Sequence, residues 1–429
     1  RNANFYLNGG YVYDGRNLLD VNLRSDGTSV FGANKRFSTT WSVGLAWNVH
    51  REKFMKDKAS FINVLKLRGS VGNPGNQNFS SYSAITTYYF NNWMLNNFGT
   101  GVLVSKFGDP NLAWQRTLDK NIGINLSMFS NRFHVTVDFY HKRTDPLIAD
   151  IGIPVSMGVE KRRTNIGVQV DKGVNGTIRY AILYKPQESI NYTMSVNFRY
   201  GTAFYKNIGR SLNAYNQENI SKNLTRYYDG GSPTALWAVR SRGIDPATGQ
   251  EIFVKKDGTL TYTFDYKDEV EVGDSRPTLE GVWGNTFYYK GWSASLQLRY
   301  SFGADVFNST LFNKVENISS RSITTNQDRR ALYNRWKKPG DKAKFKSISL
   351  TESTPMSSRF VMKENYLSIE SVRLGYQFDS KWLKKALRIS SLNINMYMNS
   401  IARFSTLEDE RGLYYPFARS ISFSLGAIL

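Results

Sequence analysis

Apolar and polar residues alternate without interruption from Trp292 to Phe302, in the stretch WSASLQLRYSF. Successive side chains of an extended strand point to opposite faces. Trp292, Leu296 and Phe302 therefore share one face of a predicted β-strand, and the intervening Ser, Gln and Arg residues share the other. The apolar face needs a non-aqueous partner, which is a second sheet in a soluble β-sandwich and lipid in an outer-membrane barrel.

Six further segments show the same two-residue period, at residues 41–49, 122–128, 133–139, 190–200, 392–398 and 421–427. The longer ones exceed the five or six residues of an average strand in a soluble protein. Trp292 and Tyr300 are about 26 Å apart along their strand, or roughly 20 Å across a membrane at a tilt of about 40°. The pattern favours lipid on the apolar face, with a soluble β-sandwich as the alternative.

The connections between predicted strands alternate between short and long. Short connections include FSNR, KPQES, KG and DSKWLKKA, and the long ones span residues 72–114, 203–275, 304–359 and 401–415. Bacterial barrels have short periplasmic turns and long extracellular loops. The alternation therefore predicts extracellular long loops and a periplasmic C-terminus.

This rule gives about 13 strands, at residues 3–13, 17–26, 36–49, 61–71, 115–128, 132–145, 164–184, 188–202, 276–289, 292–303, 360–378, 387–400 and 416–429. With an odd number, the first and last strands run in the same direction and cannot close an antiparallel barrel, and single-chain bacterial barrels have even strand numbers. Residue 1 also enters a strand directly, without a signal segment. We expect an N-terminal plug and the first strands to be absent, and residues 3–13 and 416–429 to pair with strands outside this sequence.

Composition narrows the classes of protein. Aromatic residues make up 14% of the 429 residues, mean hydropathy is −0.44, and no run reaches the roughly 18 apolar residues of a membrane helix. A helical membrane protein is therefore excluded. The absence of cysteine excludes disulfides, thiolate metal sites and cysteine nucleophiles. The formal charge of +21 is scattered over strands and loops without a nucleic-acid-binding module, so we expect no nucleic acid partner. Either this sequence carries the positive share of the charge of a larger assembly, or the lumen and the loops facing lipopolysaccharide are basic, and both readings fit a barrel.

Candidate catalytic and metal-binding residues are few. His50, His134 and His141 lack the spacing of a zinc site, and GNPGNQN at residues 72–78 lacks the features of a phosphate-binding loop and predicts a turn. Glu408, Asp409 and Glu410 are adjacent acids in a predicted loop, where such residues are usually solvated. Binding of an ion or contact with a partner protein is the alternative for this cluster. We expect no catalytic residue, no metal and no cofactor.

Aromatic residues in the long loops are the more plausible ligand contacts, because their rings stack on sugars or pack against peptide side chains. Packing of the loops against one another or against a partner is the alternative. The predicted substrate-binding residues are Tyr88, Tyr89, Trp93, Tyr227, Tyr228, Asp229, Trp237 and Arg240.

Long stretches of the sequence resemble one family. They include LLDVNLRSDGTSVFGANKRFSTTWSVGLAWNVHREKF (18–54), DFYHKRTDPLI (138–148), RGIDPATGQEIFVKKDG (242–258), VGDSRPTLEGVWGNTFYYKGWSASLQLRYSFGADVFN (272–308), RRALYNRWKKPGD (329–341) and RFVMKENYLSIESVRLGYQF (359–378). These segments closely resemble the C-terminal barrel half of SusC/RagA-type TonB-dependent outer-membrane transporters of Bacteroidetes. The chain departs from the usual pattern at its end, GAIL, where such barrels commonly have an aromatic residue.

The resemblance implies an all-β fold: an antiparallel transmembrane β-barrel portion, about 13 strands of a 22-stranded plugged barrel in the outer membrane of a Gram-negative cell. It also implies TonB-dependent active import of an oligomeric nutrient, glycan or peptide, rather than enzymatic activity. The implied partners are a SusD-like surface lipoprotein, the N-terminal barrel and plug portion, TonB, and outer-membrane lipid and lipopolysaccharide. A passive porin and a secreted all-β glycan-binding protein remain the alternatives.

Overall fold

The computed structural model describes residues 2–28, 37–56, 61–76, 85–97, 99–109, 111–159, 161–318, 324, 326–350, 352–408 and 418–428. Strands dominate the described residues. In chain order they are β1 (Asn2–Tyr13), β2 (Asn17–Thr28), β3 (Phe37–Asn48), β4 (Ile62–Gly72), β5 (Gly75–Asn76), β6 (Thr87–Asn96), β7 (Gly99–Lys106), β8 (Gln115–Met128), β9 (Phe133–Thr144), β10 (Ile148–Gly152), β11 (Lys161–Asn165), β12 (Val168–Lys185), β13 (Ile190–Lys206), β14 (Ala235–Ile244), β15 (Glu251–Val254), β16 (Leu260–Thr261), β17 (Glu269–Asp274), β18 (Leu279–Tyr289), β19 (Trp292–Phe307), β20 (Val361–Phe378), β21 (Ser391–Ser405) and β22 (Ile421–Ile428).

Helices in the described residues are short and lie between strands. The α-helices are α1 (Lys53–Lys56), α2 (Asn213–Glu218) and α3 (Lys381–Leu387). A π-helix covers Leu311–Glu316, and 3-10 turns cover Val49–Arg51, Val155–Met157, Pro186–Glu188, Tyr266–Asp268, Arg329–Leu332 and Ser358–Phe360. In this part of the chain, no helix has the length and apolar character needed to cross a membrane.

The main sheet contains the thirteen long strands, each antiparallel to its neighbour, in the order β1-β2-β3-β4-β8-β9-β12-β13-β18-β19-β20-β21-β22. This confirms the predicted all-β fold, the strand number and the antiparallel order. The strands occur in chain order because each long or short connection returns the chain to the neighbouring position. The long connections carry further small sheets: β6-β7, β10-β11, and the four-stranded sheet β16-β15-β14-β17.

Several predicted boundaries were wrong. Residues 164 and 165 belong to β11, which pairs with β10. β12 begins only after Gly167, whose positive φ of 65° separates it from β11. The main-sheet strands β13, β19 and β21 extend to residues 206, 307 and 405, into stretches predicted as loop. Their pairing continues there although the simple alternation of apolar and polar residues does not.

The register places all the predicted apolar faces on one side of the main sheet, because residues directly opposite in an antiparallel pair point the same way. One unbroken row crosses seven strands through Leu65, Leu126, Val135, Ile178, Val196, Trp283 and Leu298. We call this side, which includes Trp292 and Phe302, the apolar face. The opposite side, which includes Arg68, Asp138 and Arg299, is the polar face.

The apolar face is largely uncovered. Ile122 is 66% exposed and Phe423 is 74% exposed, whereas the well-buried apolar residues lie mainly in the connections. One such cluster contains Val315, Ala331, Phe345 and Phe360. Among the residues that the structure describes, no protein layer covers most of the apolar side of the main sheet, at a scale far beyond the patches that soluble proteins expose.

Aromatic pairs follow the short-turn end of the main sheet. Ring centroids are 6.1 Å apart for Phe61 and Phe129, 5.8 Å for Phe133 and Tyr180, 6.4 Å for Tyr192 and Phe287, and 4.7 Å for Trp292 and Tyr376. Aromatic girdles of this kind border the apolar band of outer-membrane barrels.

The main sheet has two edges within the described residues, since β1 pairs with β2 and β22 pairs with β21. β1 and β22 do not pair with each other there, and the odd strand number makes them run in the same direction. That outcome agrees with the predicted geometry of the two edges. The identity of any strands that cover them stays a prediction.

Candidate functional site

The polar face carries an ion pair that spans three strands. Arg68 on β4 and Asp138 on β9 meet across β8, with Arg68 Nη2 2.8 Å from Asp138 Oδ1. Gly123 lies directly between them in the register. A Cβ at this position would clash with Asp138 Oδ1 and lie 2.8 Å from Arg68 Nη2, so a larger residue here would displace the ends of both side chains.

Cross-strand ion pairs continue along the polar face. The closest approaches are 3.3 Å for Lys142 and Asp119, 3.4 Å for Arg199 and Glu280, 3.4 Å for Arg299 and Glu370, and 2.6 Å for Arg403 and Glu364. Two concave regions of about 450 Å³ and 640 Å³ share Asp138 and Asn175 in their lining. The polar face is thus a continuous concave surface of alternating charge, suited to a polar solute.

A first loop cavity, of about 630 Å³, lies where β14 and β17 meet the 213–228 segment and is lined by Tyr228, Trp237 and Tyr266. The rings of Tyr228 and Trp237 are 4.8 Å apart. Trp237 Nε1 is buried and has no hydrogen-bond partner among the described residues. Burial raises the pKa of Tyr228, which keeps its hydroxyl neutral. The cavity therefore offers two aromatic rings.

A buried ion pair forms part of this cavity's lining. Arg226 Nη2 is 2.7 Å from Glu269 Oε1, and Arg226 Nε is 3.0 Å from Glu269 Oε2. Arg226 also donates to the carbonyl oxygens of Ile220, Asn223 and Thr225. This bidentate arrangement joins two segments 43 residues apart and fixes the position of Tyr228 beside β14.

A second loop cavity, of about 340 Å³, has an aromatic wall formed by Tyr205, Tyr215 and Tyr227. The Tyr227 ring centroid lies 5.7 Å from that of Tyr205 and 5.4 Å from that of Tyr215. Asp150 also lines this cavity and pairs with Arg163 at 2.8 Å. Tyr227 and Tyr228 are neighbours in sequence, but they line different cavities.

The predicted site residues divide into three groups. Tyr228 and Trp237 share the first loop cavity, while Tyr227 lines the second. Asp229 accepts hydrogen bonds from the backbone N–H groups of Ile208 (2.8 Å) and Gly209 (3.0 Å), which ties down its loop. Arg240 donates to the carbonyl oxygen of Lys255 at 3.3 Å.

The third group lies on a separate hairpin. Tyr88, Tyr89 and Trp93 belong to β6, which pairs with β7 in a sheet of its own. They are 63%, 47% and 96% exposed. The structure thus brings Tyr228 and Trp237 together but places these three residues on a different element.

Sequence reasoning missed a second buried charge network, around Arg359. Its Nη2 is 2.8 Å from Glu251 Oε2 and 2.5 Å from Glu316 Oε1, and Ser357 donates to Glu251. Burial opposes the charge of Arg359, but the hydrogen bond to Glu316 and the charge of Glu251 outweigh it and raise the pKa of the guanidinium. Arg359 and its partners are separated by up to 108 residues, so no local sequence motif predicts this network.

The remaining candidates have structural contacts. Glu408 pairs with Arg330 at 2.9 Å, while Asp409 and Glu410 lie outside the described residues. Of residues 72–78, Gly72 ends β4 and Gly75–Asn76 forms β5 against β8, so the predicted turn is in part a short strand, and residues 77 and 78 are outside the described residues. Over the described ranges, no group of three or more His, Asp or Glu side chains is placed to hold a metal.

Comparison with known proteins adds a family match. The family model described as TonB dependent receptor-like, beta-barrel matches residues 1–395. The curated TonB-dependent receptor P39 of Formosa agariphila is 26% identical over 95% of this chain and 43% of its own length. TonB-dependent receptor SusC of Bacteroides thetaiotaomicron is 24% identical over 96% of this chain and 42% of its own length. The chain thus spans about two fifths of these relatives.

Solved structures share the fold. The RagAB peptide transporter superposes with a TM-score of 0.82 at 21% identity, over 95% of this chain and 44% of the other. The RagAB peptide importer in its open-open state gives a TM-score of 0.81 at 20% identity, over 99% of this chain and 46% of the other. At this level of identity the similarity establishes the architecture of the main sheet.

Proposed function

Because this chain belongs to the family of TonB-dependent receptor-like β-barrels, we propose that it forms part of the barrel of an outer-membrane importer of the SusC/RagA type. The observation that carries the proposal is the contrast between the two faces of the main sheet. The apolar face is continuous and uncovered, as contact with lipid requires, and the polar face carries ion pairs, as a hydrated lumen requires. In this arrangement the short turns and the C-terminus are periplasmic, and the long connections are extracellular.

The importer acts by moving a solute along the polar face without making or breaking a covalent bond. Energy comes from the inner membrane through TonB, which acts on parts of the transporter outside this chain. A SusD-like surface lipoprotein covers the extracellular loops. The similarity to SusC and to the RagAB complex supports this partnership.

The substrate is an oligomeric nutrient, either a glycan or a peptide. The first loop cavity supports both, because the Tyr228 and Trp237 rings can stack on a sugar or pack against a peptide side chain. The names of the RagAB structures specify peptide for those proteins. We assign the exposed surface of the β6-β7 hairpin to contact with the SusD-like lipoprotein or with the entering substrate. This surface contains Tyr88, Tyr89 and Trp93.

The test is uptake by cells that express the full-length transporter, with and without a functional TonB. Candidate oligosaccharide and oligopeptide mixtures are supplied, and their depletion from the medium is measured. We expect depletion of one class to require both the transporter and TonB. Uptake that persists without TonB would replace the proposal with a passive porin, and recovery of the transporter in the soluble fraction would replace it with a secreted binding protein.

The two edges of the main sheet require partner strands in this arrangement. Unpaired backbone N–H and C=O groups cost several kcal/mol each in hydrocarbon, so an open edge is not stable there. We propose that β1 and β22 pair with strands of an N-terminal barrel portion that also encloses a plug, completing about 22 strands. The relatives, which are more than twice as long as the matched region, support this arrangement.

A further inference from the structure

Charged residues on the apolar face of four neighbouring strands, β8, β9, β12 and β13, are all basic. Within the register they are Arg116, Lys120, His141, Arg143, Lys172, Lys185 and Lys206. The carboxylates on these strands, Asp119, Asp138 and Asp171, lie on the polar face. Except for Lys185, the basic residues occupy the loop end of the strands.

Three of these residues form one row across adjacent strands. Lys120 is directly opposite His141, and His141 is directly opposite Lys172. Neighbouring strands are about 4.8 Å apart, so the backbones of Lys120 and Lys172 are about 10 Å apart with His141 between them. All three side chains are exposed. Flexible lysine side chains at this spacing can converge on one phosphate group.

The three side chains make no ion pair or hydrogen bond within the described part of the chain, in contrast with the polar face of the same region. There, Lys142 pairs with Asp119 at 3.3 Å, and Arg276 pairs with Asp171 at 3.7 Å. Both of these cations thus have a carboxylate partner, whereas the row on the apolar face does not. Its positive charge is left for a partner outside the chain.

The neighbouring row towards the short-turn end is apolar and open. It contains Ile122, Phe139, Val174 and Tyr200, and Ile122 is 66% exposed, while Phe139 and Tyr200 are each 49% exposed. A change from exposed apolar to unpaired basic residues within one two-residue step is the pattern of a boundary between acyl chains and charged headgroups. An acidic protein partner would not account for the apolar row beside the cations.

We propose that Lys120, His141 and Lys172 bind the phosphate groups of an outer-leaflet lipid, lipopolysaccharide, whose acyl chains lie along Ile122, Phe139 and Tyr200. The site rests on the proposed function, because it requires the apolar face to lie in the outer membrane. Arg116 and Lys206 lie further towards the loops on the same side and extend the positive surface. The lipid thereby defines the height of the barrel in the membrane on this side.

The experiment uses the full-length transporter purified from outer membranes, with lipopolysaccharide as the probe. Binding of phosphorylated and enzymatically dephosphorylated lipopolysaccharide is measured by native mass spectrometry for the parent and for Lys120→Gln/Lys172→Gln. The matched control is Lys185→Gln/Lys290→Gln, which removes the same charge at the short-turn end. Inorganic phosphate is added as a competitor.

We expect the parent and the control to bind phosphorylated lipopolysaccharide at least tenfold more tightly than Lys120→Gln/Lys172→Gln, with the difference abolished on the dephosphorylated lipid. Equal binding by the two double variants would overturn the site, and displacement of the lipid by an equal concentration of inorganic phosphate would reassign it to the free ion. Outer-membrane fractionation of the parent separates the two failures. A parent absent from that membrane contradicts the proposed function, whereas a parent present there without lipid preference contradicts only this site.

Discussion

At the scale of single residues, Gly123 shows how an absent side chain shapes the polar face. Arg68 and Asp138 meet in the space that a Cβ on β8 would occupy. The pair then links β4 to β9 across a strand that lies between them. Glycine in a strand usually weakens it, so its presence here is explained by the close approach of the two side chains above it.

Replacing Gly123 with valine should therefore break the Arg68–Asp138 contact. We expect the Gly123→Val transporter to lose about 1–3 kcal/mol of stability, as is typical when extra methyl groups enter an occupied space. Thermal unfolding of the purified full-length transporter measures the change. The matched control is Gly69→Val on the neighbouring strand β4, where a Cβ meets no atom within 4 Å. Equal unfolding temperatures for the two variants would contradict the assigned role of Gly123.

Trp237 provides the second prediction at this scale. Trp237→Leu removes the aromatic ring that lines the first loop cavity beside Tyr228. Because a ring in this position would pack on the substrate, its loss should weaken binding by about 0.5–1.5 kcal/mol, or roughly two- to tenfold. Equilibrium binding of the imported oligomer to the purified transporter measures the effect. Trp382→Leu, at an exposed position in α3, is the control, and an equal affinity for both variants would remove Trp237 from the site.

The sequence predicted part of this site and missed the rest for a physical reason. Tyr228 and Trp237 are apparent as loop aromatics with the right chemistry for a polar oligomer. Arg226 is not apparent as their support, because its partner Glu269 lies 43 residues away and only tertiary structure brings the two together. Asp229 was predicted to contact substrate, and the structure shows its carboxylate holding two backbone N–H groups of its own loop.

At the scale of elements, the long strands were predictable because one face of each is apolar over its whole length. The strands of the loop sheet were not, since β15 and β16 have four and two residues and their pairing depends on neighbours distant in sequence. The predicted start of β12 was wrong for the same reason. Residues 164 and 165 have strand-like neighbours on both sides, but they pair with Ala149 and Ile148 of β10 rather than with the main sheet.

The two faces of β19 give a test of the membrane placement. Leu296→Lys introduces a charge on the apolar face and should cost about 2–4 kcal/mol near the middle of the bilayer, which would reduce the amount of assembled barrel. Gln297→Lys is the control, because Gln297 lies on the polar face opposite Gly284 and Ser371. Heat-modifiable migration of the transporter in outer-membrane fractions reports assembly. Equal yields of the two variants would contradict lipid contact by the apolar face.

The loop network around Arg359 gives the second test at this scale. Arg359→Met leaves Glu251 and Glu316 buried without their cation, which should cost about 3–5 kcal/mol. We expect faster proteolysis of the long connections before and after β18-β19, with the barrel strands still protected. The triple variant Arg359→Met/Glu251→Gln/Glu316→Gln removes the charges together and should recover most of the protection. Failure of the triple variant to recover would assign the effect to lost packing.

At the scale of the whole molecule, the main sheet ends in two edge strands, β1 and β22, whose backbone N–H and C=O groups need hydrogen-bond partners in a membrane. If partner strands cover β1 and β22 in the full-length transporter, their backbone amides should exchange hydrogen as slowly as those of the interior strand β13. Hydrogen exchange of the full-length transporter in lipid nanodiscs measures this directly. Rapid exchange along β1 or β22 would show an uncovered edge and contradict the proposed barrel closure.

The ion pair between Arg359 and Glu251 also has a kinetic consequence. These residues are separated by 108 positions, and the hairpin β18-β19 lies between them in sequence, so we expect the pair to form after that hairpin has taken its place in the sheet. Contacts between distant parts of a chain form late because loop closure costs entropy before any contact offsets it. The folded connections that enclose this buried pair are consequently a marker of completed assembly. An antibody fragment that recognises their folded outer surface, but not the unfolded chain, would distinguish finished transporters from assembly intermediates on living cells.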